Sequence, residues 1–229
     1  MQSESEFYVG YLPMPAALKT AIRRVIVALG VLAIGAAVVL VAVQHPFPAA
    51  NFEFQQYREF RGTLIAEPYP ALLIPGQGFP WLLVAPGKHG VGDMRAFDGR
   101  EVKLTGERTI HGDDHMIEAV GPVSGLLSAV AKRAPDVDLG EIELTGEVVD
   151  SKCYFGVMNP GAGKVHRDCA VRCISGGIPP AFLARDSNGR TATLLLANWN
   201  RALLQHVAEL VTIRGRLVRS LGRLTLYQE

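Results

Sequence analysis

TATLLLANWNRALLQHVAELVTIRGRLVRSLGRLTLYQ, residues 191–228, decides the fold class. Thr191 to Ala197 is apolar and β-branched and reads as a strand. Asn198 then stands where a cap would start a helix through Arg201 to Val207. Leu210 to Val218 alternates in character as the next strand, and Leu221-Gly222 turns the chain into another, Arg223 to Gln228. Working upstream, Ser187-Asn188-Gly189 is a turn signal, Ala181 to Arg185 a further strand, and Leu144 to Val149 an opening strand.

Three strands, a helix and two strands resemble, in their order, the small closed barrel of the OB-fold. Gly146 and Gly215 fall inside strands, where such a barrel coils sharply or bulges. The plan then repeats toward the N-terminus. Phe60 to Ile65, Ala71 to Ile74, Trp81 to Ala85, Glu101 to Glu107 and His115 to Val120 follow the same order, with Lys88 to Gly99 holding at most a helical turn. Leu-Thr-Gly-Glu occurs at both 104–107 and 144–147. The expected fold is all-β with one N-terminal transmembrane helix: two tandem OB-fold-like barrels, at 59–121 and 141–229. Residues 44–58 are expected as a linker, and residues 122–140 as a linker helix capped by Ser124 and packed through Leu126, Leu127 and Val130.

The copies differ most in one place. The interval from Gly146 to Gly215 exceeds that from Gly62 to Gly106 by roughly the length of Asp150–Pro180, so residues 150–180 read as an insertion between the first two strands of the second barrel. That insertion, DSKCYFGVMNPGAGKVHRDCAVRCISGGIPP, holds all three cysteines of the chain, Cys153, Cys169 and Cys173. Val165 to Ile174 reads as a short helix, which puts His166, Cys169 and Cys173 on one face. Cys153 lies upstream across a Gly/Pro/Asn turn that can fold back onto that face.

Cys153, His166, Cys169 and Cys173 are therefore the candidate metal ligands. Cys3His is a zinc set; copper(I) also favours soft thiolates, and iron–sulfur clusters accept mixed Cys/His ligation. The spacing lacks the Cys-x2-Cys knuckles of a zinc ribbon. Lys164, Arg167 and Arg172 are expected to lower the thiol pKa values, and Asp150 or Asp168 to orient His166. The rival reading has no cofactor: Cys153 pairs with Cys169 or Cys173 in a disulfide that staples the loop. Gly161-Ala162-Gly163-Lys164 fails as a phosphate loop, with Met158 in place of the first glycine and Val165 in place of Ser or Thr. Cys-x3-Cys on an all-β frame does not match a thioredoxin-like dithiol. His111-Gly112-Asp113-Asp114-His115 could hold a divalent ion, but glycine and aspartate are ordinary turn residues. Trp81 and Trp199 read as packing residues.

Val25 to Val43 carries no charged residue, and at ~1.5 Å per residue it nearly matches a hydrocarbon core of about 30 Å. Lys19, Arg23 and Arg24 precede it, and no Lys or Arg occurs from Gln44 to Phe52. The positive-inside rule puts residues 1–24 in the cytoplasm as a tail, 25–43 in the membrane as an uncleaved signal anchor, and the rest outside the cytoplasm. In a Gram-negative bacterium that is the inner membrane facing the periplasm. Net charge is +1, from 23 basic and 22 acidic residues, which leaves no basic excess for nucleic acid.

No nucleophile–base pair or dinucleotide fingerprint stands out, so an enzyme reading stays open without residues to carry it. The functional expectation is a non-catalytic accessory subunit that binds a metal in an envelope redox or metal-handling system, with another envelope or membrane protein as partner. The alternative is a structural or assembly protein whose barrels grip a partner and whose cysteines form a stabilising disulfide.

Overall fold

The computed structural model describes residues 13–44, 50–126 and 134–229. Helix α1 (Ala16–Val43) is long and apolar enough to cross a membrane, and none of its side chains is buried. Its 28 residues span about 42 Å, more than a hydrocarbon core of about 30 Å. The helix begins before the expected span, so Lys19, Arg23 and Arg24 ride on its first turns rather than on a tail. The remainder of the expected tail, residues 1–12, lies outside the described residues.

The other compact unit is mostly β and holds two closed five-stranded barrels. Strand β1 (Ala50–Phe52) comes first and lies outside the first barrel, paired with β5 (Glu101–His111). It occupies part of the expected 44–58 linker. The barrel itself uses β2 (Arg58–Ile65), β3 (Ala71–Leu73), β4 (Trp81–Val84), β5 and β6 (Asp114–Gly125). β2, β3 and β4 pair antiparallel in sequence; β4 pairs parallel with β6; β6 and β2 both pair with β5, which closes the ring.

The second barrel repeats this connectivity with β7 (Val137–Asp150), β8 (Pro180–Arg185), β9 (Thr191–Ala197), β10 (Leu210–Ser220) and β11 (Arg223–Gln228). Again the third and fifth strands pair parallel, and the first and fourth close the ring. Gly62 and Gly146 take equivalent places in the two opening strands. A Cβ there would strike the carbonyl oxygen of Leu73 or Leu183 on the neighbouring strand, so only glycine lets the strands approach so closely.

Two local expectations need correction. Ser124 is not a helix cap: it belongs to β6 and pairs with Lys103 of β5. β5 still offers free edge groups past Pro122, and a register shift opposite Lys103 and Thr105 lets the strand continue to Gly125. The rest of the expected linker helix falls largely on residues 127–133, outside the described residues, and β7 already begins at Val137. In the second barrel the helix is a 3-10 segment, Arg201–His206, and its cap is Asn200, whose side chain accepts from the Ala202 amide at 2.8 Å. Asn198 sits at φ 52°, a left-handed conformation that does not suit an N-cap.

Strand periodicity builds two cores and a seam. In β4, Trp81 and Leu83 point into the first barrel, among Leu64, Leu72, Val102 and Ile117. Leu82 and Val84 point the other way and are equally buried. β9 does the same: Leu194 and Leu196 enter the second core, and Leu195 faces the seam. Leu82, Val84, Met116 and Leu195 meet Cys153, Phe155, Cys173 and Ile178 there, in one cluster shared by both barrels. A strand apolar on both faces is what a doubly covered position requires.

Candidate metal centre

β7 ends at Asp150, which is fully buried. The chain then forms a wide π-type turn at Cys153–Val157, a 3-10 turn at Lys164–His166, and helix α2 (Arg167–Ser175) before β8. The Asp150 carboxylate starts this arrangement. One oxygen accepts from the Cys153 amide at 2.8 Å, and the other lies 3.0 Å from His166 Nε2. A neutral His166 that donates Nε2–H to Asp150 carries its free lone pair on Nδ1, the usual way a carboxylate orients a ligating imidazole. Asp150, not Asp168, is the His166 partner.

All three cysteines are unpaired thiols. Cys153 and Cys173 are buried, and Cys169 is partly exposed. Cys153 Sγ and Cys169 Sγ are 3.9 Å apart, far beyond a disulfide bond of about 2.05 Å. The ligand atoms form two overlapping triads that share Cys153: Cys153, His166 and Cys169, and Asp150, Cys153 and Cys173, each within 4.8 Å of one another. The fold thus gathers all four sequence-predicted residues around Cys153 and adds Asp150.

The electrostatics set Cys173 apart from Cys153. The Cys173 thiol is drawn down to about 7, first by its hydrogen bond with Cys153, with the Lys88 charge acting the same way against burial and the Asp150 carboxylate. The same Cys153–Cys173 bond pushes the Cys153 thiol up, aided by burial and Asp150. Cys173 is therefore the more acidic thiol of that pair.

The cation beside the sulfurs comes from the first barrel. Lys88, in the connection after β4, places Nζ 2.7 Å from Cys169 Sγ and 3.6 Å from Cys173 Sγ. The hydrogen bond to Cys169, then the charges of the cysteines, hold the Lys88 ammonium above its ordinary range. Of the basic residues expected in this role, Arg167 turns instead to the Gln205 carbonyl and toward Glu209. Lys88 was invisible as a partner because it lies 81 residues from Cys169 in sequence.

Two contacts fix that lysine over the centre. Lys152 of the second barrel, 3% exposed, donates to the Ala85 and Gly87 carbonyls at 2.9 and 2.8 Å and pairs with Glu118 at 2.7 Å. Gly90 donates to the Gly176 carbonyl at 3.1 Å, and a Cβ on Gly176 would strike the Lys88 carbonyl oxygen. The Lys88 backbone thus lies directly on the C-terminal end of α2. Beyond Tyr154, a cavity of about 430 Å³ opens between His111, Met158, Pro160, Leu183 and Arg185.

The His111–His115 hairpin is not brought together as a site. His115 stacks on Phe79 at 4.1 Å, Asp114 pairs with Arg223, and His111 meets the Tyr154 ring edge-on. Trp81 is buried in the first core, and Trp199 packs on the second. No family model, curated protein or solved structure matches the chain.

Proposed function

We propose that this chain is a membrane-anchored protein whose second barrel, of OB-fold type with Asp150–Pro180 inserted between its first two strands, binds a single metal ion. Cys153, His166, Cys169 and Cys173 are its ligands, and Asp150 orients His166. The observation that carries this reading is the 3.9 Å separation of Cys153 and Cys169 sulfurs beside an imidazole already bonded to a carboxylate. Two zinc–sulfur bonds of about 2.3 Å at a tetrahedral angle span about 3.8 Å between sulfurs. A mononuclear zinc or copper(I) ion suits that spacing better than an iron–sulfur cluster, which spreads its cysteines over separate irons.

The strand connectivity supports the OB-like assignment, because both barrels join the third strand to the fifth in parallel and close the first on the fourth. Lys19, Arg23 and Arg24 at the start of α1 support a cytoplasmic N-terminus and extracytoplasmic barrels. The role we assign is that of an accessory subunit in an envelope redox or metal-handling system, with a membrane protein as partner and no chemistry of its own. Elemental analysis of the purified chain, beside Cys169→Ser and His166→Ala, tests the metal. Stoichiometric zinc or copper in the parent and its loss in both variants is expected; a metal content unchanged by either substitution contradicts the ligand set. A C-terminal reporter active only outside the cytoplasm tests the topology.

A further inference from the structure

Lys88 Nζ and Cys169 Sγ, 2.7 Å apart, are closer than nitrogen–sulfur van der Waals contact but too far for a direct N–S bond. A single oxygen atom bonded to both would fill that separation. The backbone that carries Lys88 is held in place. The Lys88 backbone is pressed on Gly176, and the Lys152 ammonium holds the carbonyls of Ala85 and Gly87 just before it. Among the described residues the Lys88 side chain hydrogen-bonds only to Cys169 and Cys173 and forms no carboxylate pair. Cys169 is also the cysteine that solvent reaches, so a dissolved oxidant meets it first.

We propose that Lys88 and Cys169 form an oxidative modification site, closed by an N–O–S bridge between Nζ and Sγ, with dioxygen as the oxidant. The step balances from the Lys88 ammonium and the Cys169 thiol. The O=O bond breaks; one oxygen forms the N–O and O–S bonds, the other leaves as water with two of the ammonium protons, and the thiol proton passes to solvent. Nitrogen and sulfur are oxidised, and dioxygen is reduced. A thiol reductant reverses the link, as it does other low oxidation states of cysteine sulfur. The bridge ties the first barrel to α2 and withdraws Cys169 from any ligand set. It rests on the lysine–cysteine geometry and not on the metal reading.

The test is peptide mapping of the full-length chain by mass spectrometry after exposure to air, with and without prior chelation, beside protein kept reduced. The expected product is a crosslinked pair of peptides carrying Lys88 and Cys169, heavier than their sum by one oxygen less two hydrogens, and released by dithiothreitol. Lys88→Arg abolishes it, and Cys153→Ser leaves it. Oxidation that ends in a Cys153–Cys169 disulfide, or in sulfinic acid on Cys169 with Lys88 unmodified, in both the chelated and unchelated samples, overturns the proposal. Neither of those products bears on metal content, which is measured separately.

Discussion

Lys152 of the second barrel reaches Glu118 of the first, Nζ to Oε2 at 2.7 Å, with the lysine side chain 4% exposed and the glutamate 13%. A buried pair of this kind is costly to break from one side, because the surviving charge has no solvent. Lys152→Met leaves Glu118 and two backbone carbonyls without their donor. The expected loss is about 3–5 kcal/mol in denaturant unfolding of the full chain in detergent. Adding Glu118→Leu should recover part of it. If Lys152→Met alone is neutral, the seam does not depend on this pair.

Asp150→Asn keeps the shape at the end of β7 but not the carboxylate that holds His166 at 3.0 Å. Loss of such a partner typically weakens metal affinity about 10- to 100-fold. Competition with a chromogenic chelator would show a shift of that order, and an unchanged affinity would place His166 outside the ligand set.

Gly176→Ala drives a Cβ into the Lys88 carbonyl oxygen, which is backbone and has no rotamer to yield. Overpacking at such a contact costs about 1–3 kcal/mol. Hydrogen exchange should show the Gly90 amide, bonded to the Gly176 carbonyl, losing protection before the barrel strands do. Uniform loss across both barrels would mean that the contact is not local.

Glu53, just after β1, accepts from Arg108 at 2.6 Å and pairs with Arg58 at 3.0 Å. The Arg108 hydrogen bond first, then the charges of both arginines, hold its carboxyl below the ordinary 4.5, against burial. A lowered carboxylate pKa adds stability above the unfolded value and loses it as pH falls through the folded one. Glu53→Gln should therefore melt below the parent at neutral pH, and the two should converge as pH drops past 4.5. A gap that persists in acid would assign the effect to shape and not to charge.

The barrels were legible because their strands are punctuated locally. Ser187-Asn188-Gly189 and Leu221-Gly222 fixed the bounds of Thr191–Ala197 and Arg223–Gln228, and the structure keeps both strands at those residues. The four Cys/His candidates were legible because three of them lie within eight residues at helical spacing. What was hidden is long-range. Trp81–Val84 and Thr191–Ala197 read as apolar runs, but no local rule says that Leu82, Val84 and Leu195 cover a seam between barrels. Lys88 sits in a Gly-rich connection with no motif, and only the fold lays it on Cys169. The Ser124 helix failed for a related reason, since the open edge of β5 outweighed a local cap signal.

Metal content and thiol oxidation state, measured together on the full-length protein purified without added metal, decide between a metal and a disulfide at these cysteines. One equivalent of zinc or copper per chain is expected, with three reduced cysteines once the metal is removed under anaerobic conditions and no metal in Cys153→Ser. A metal-free protein with Cys153 in a disulfide would contradict the proposed metal site.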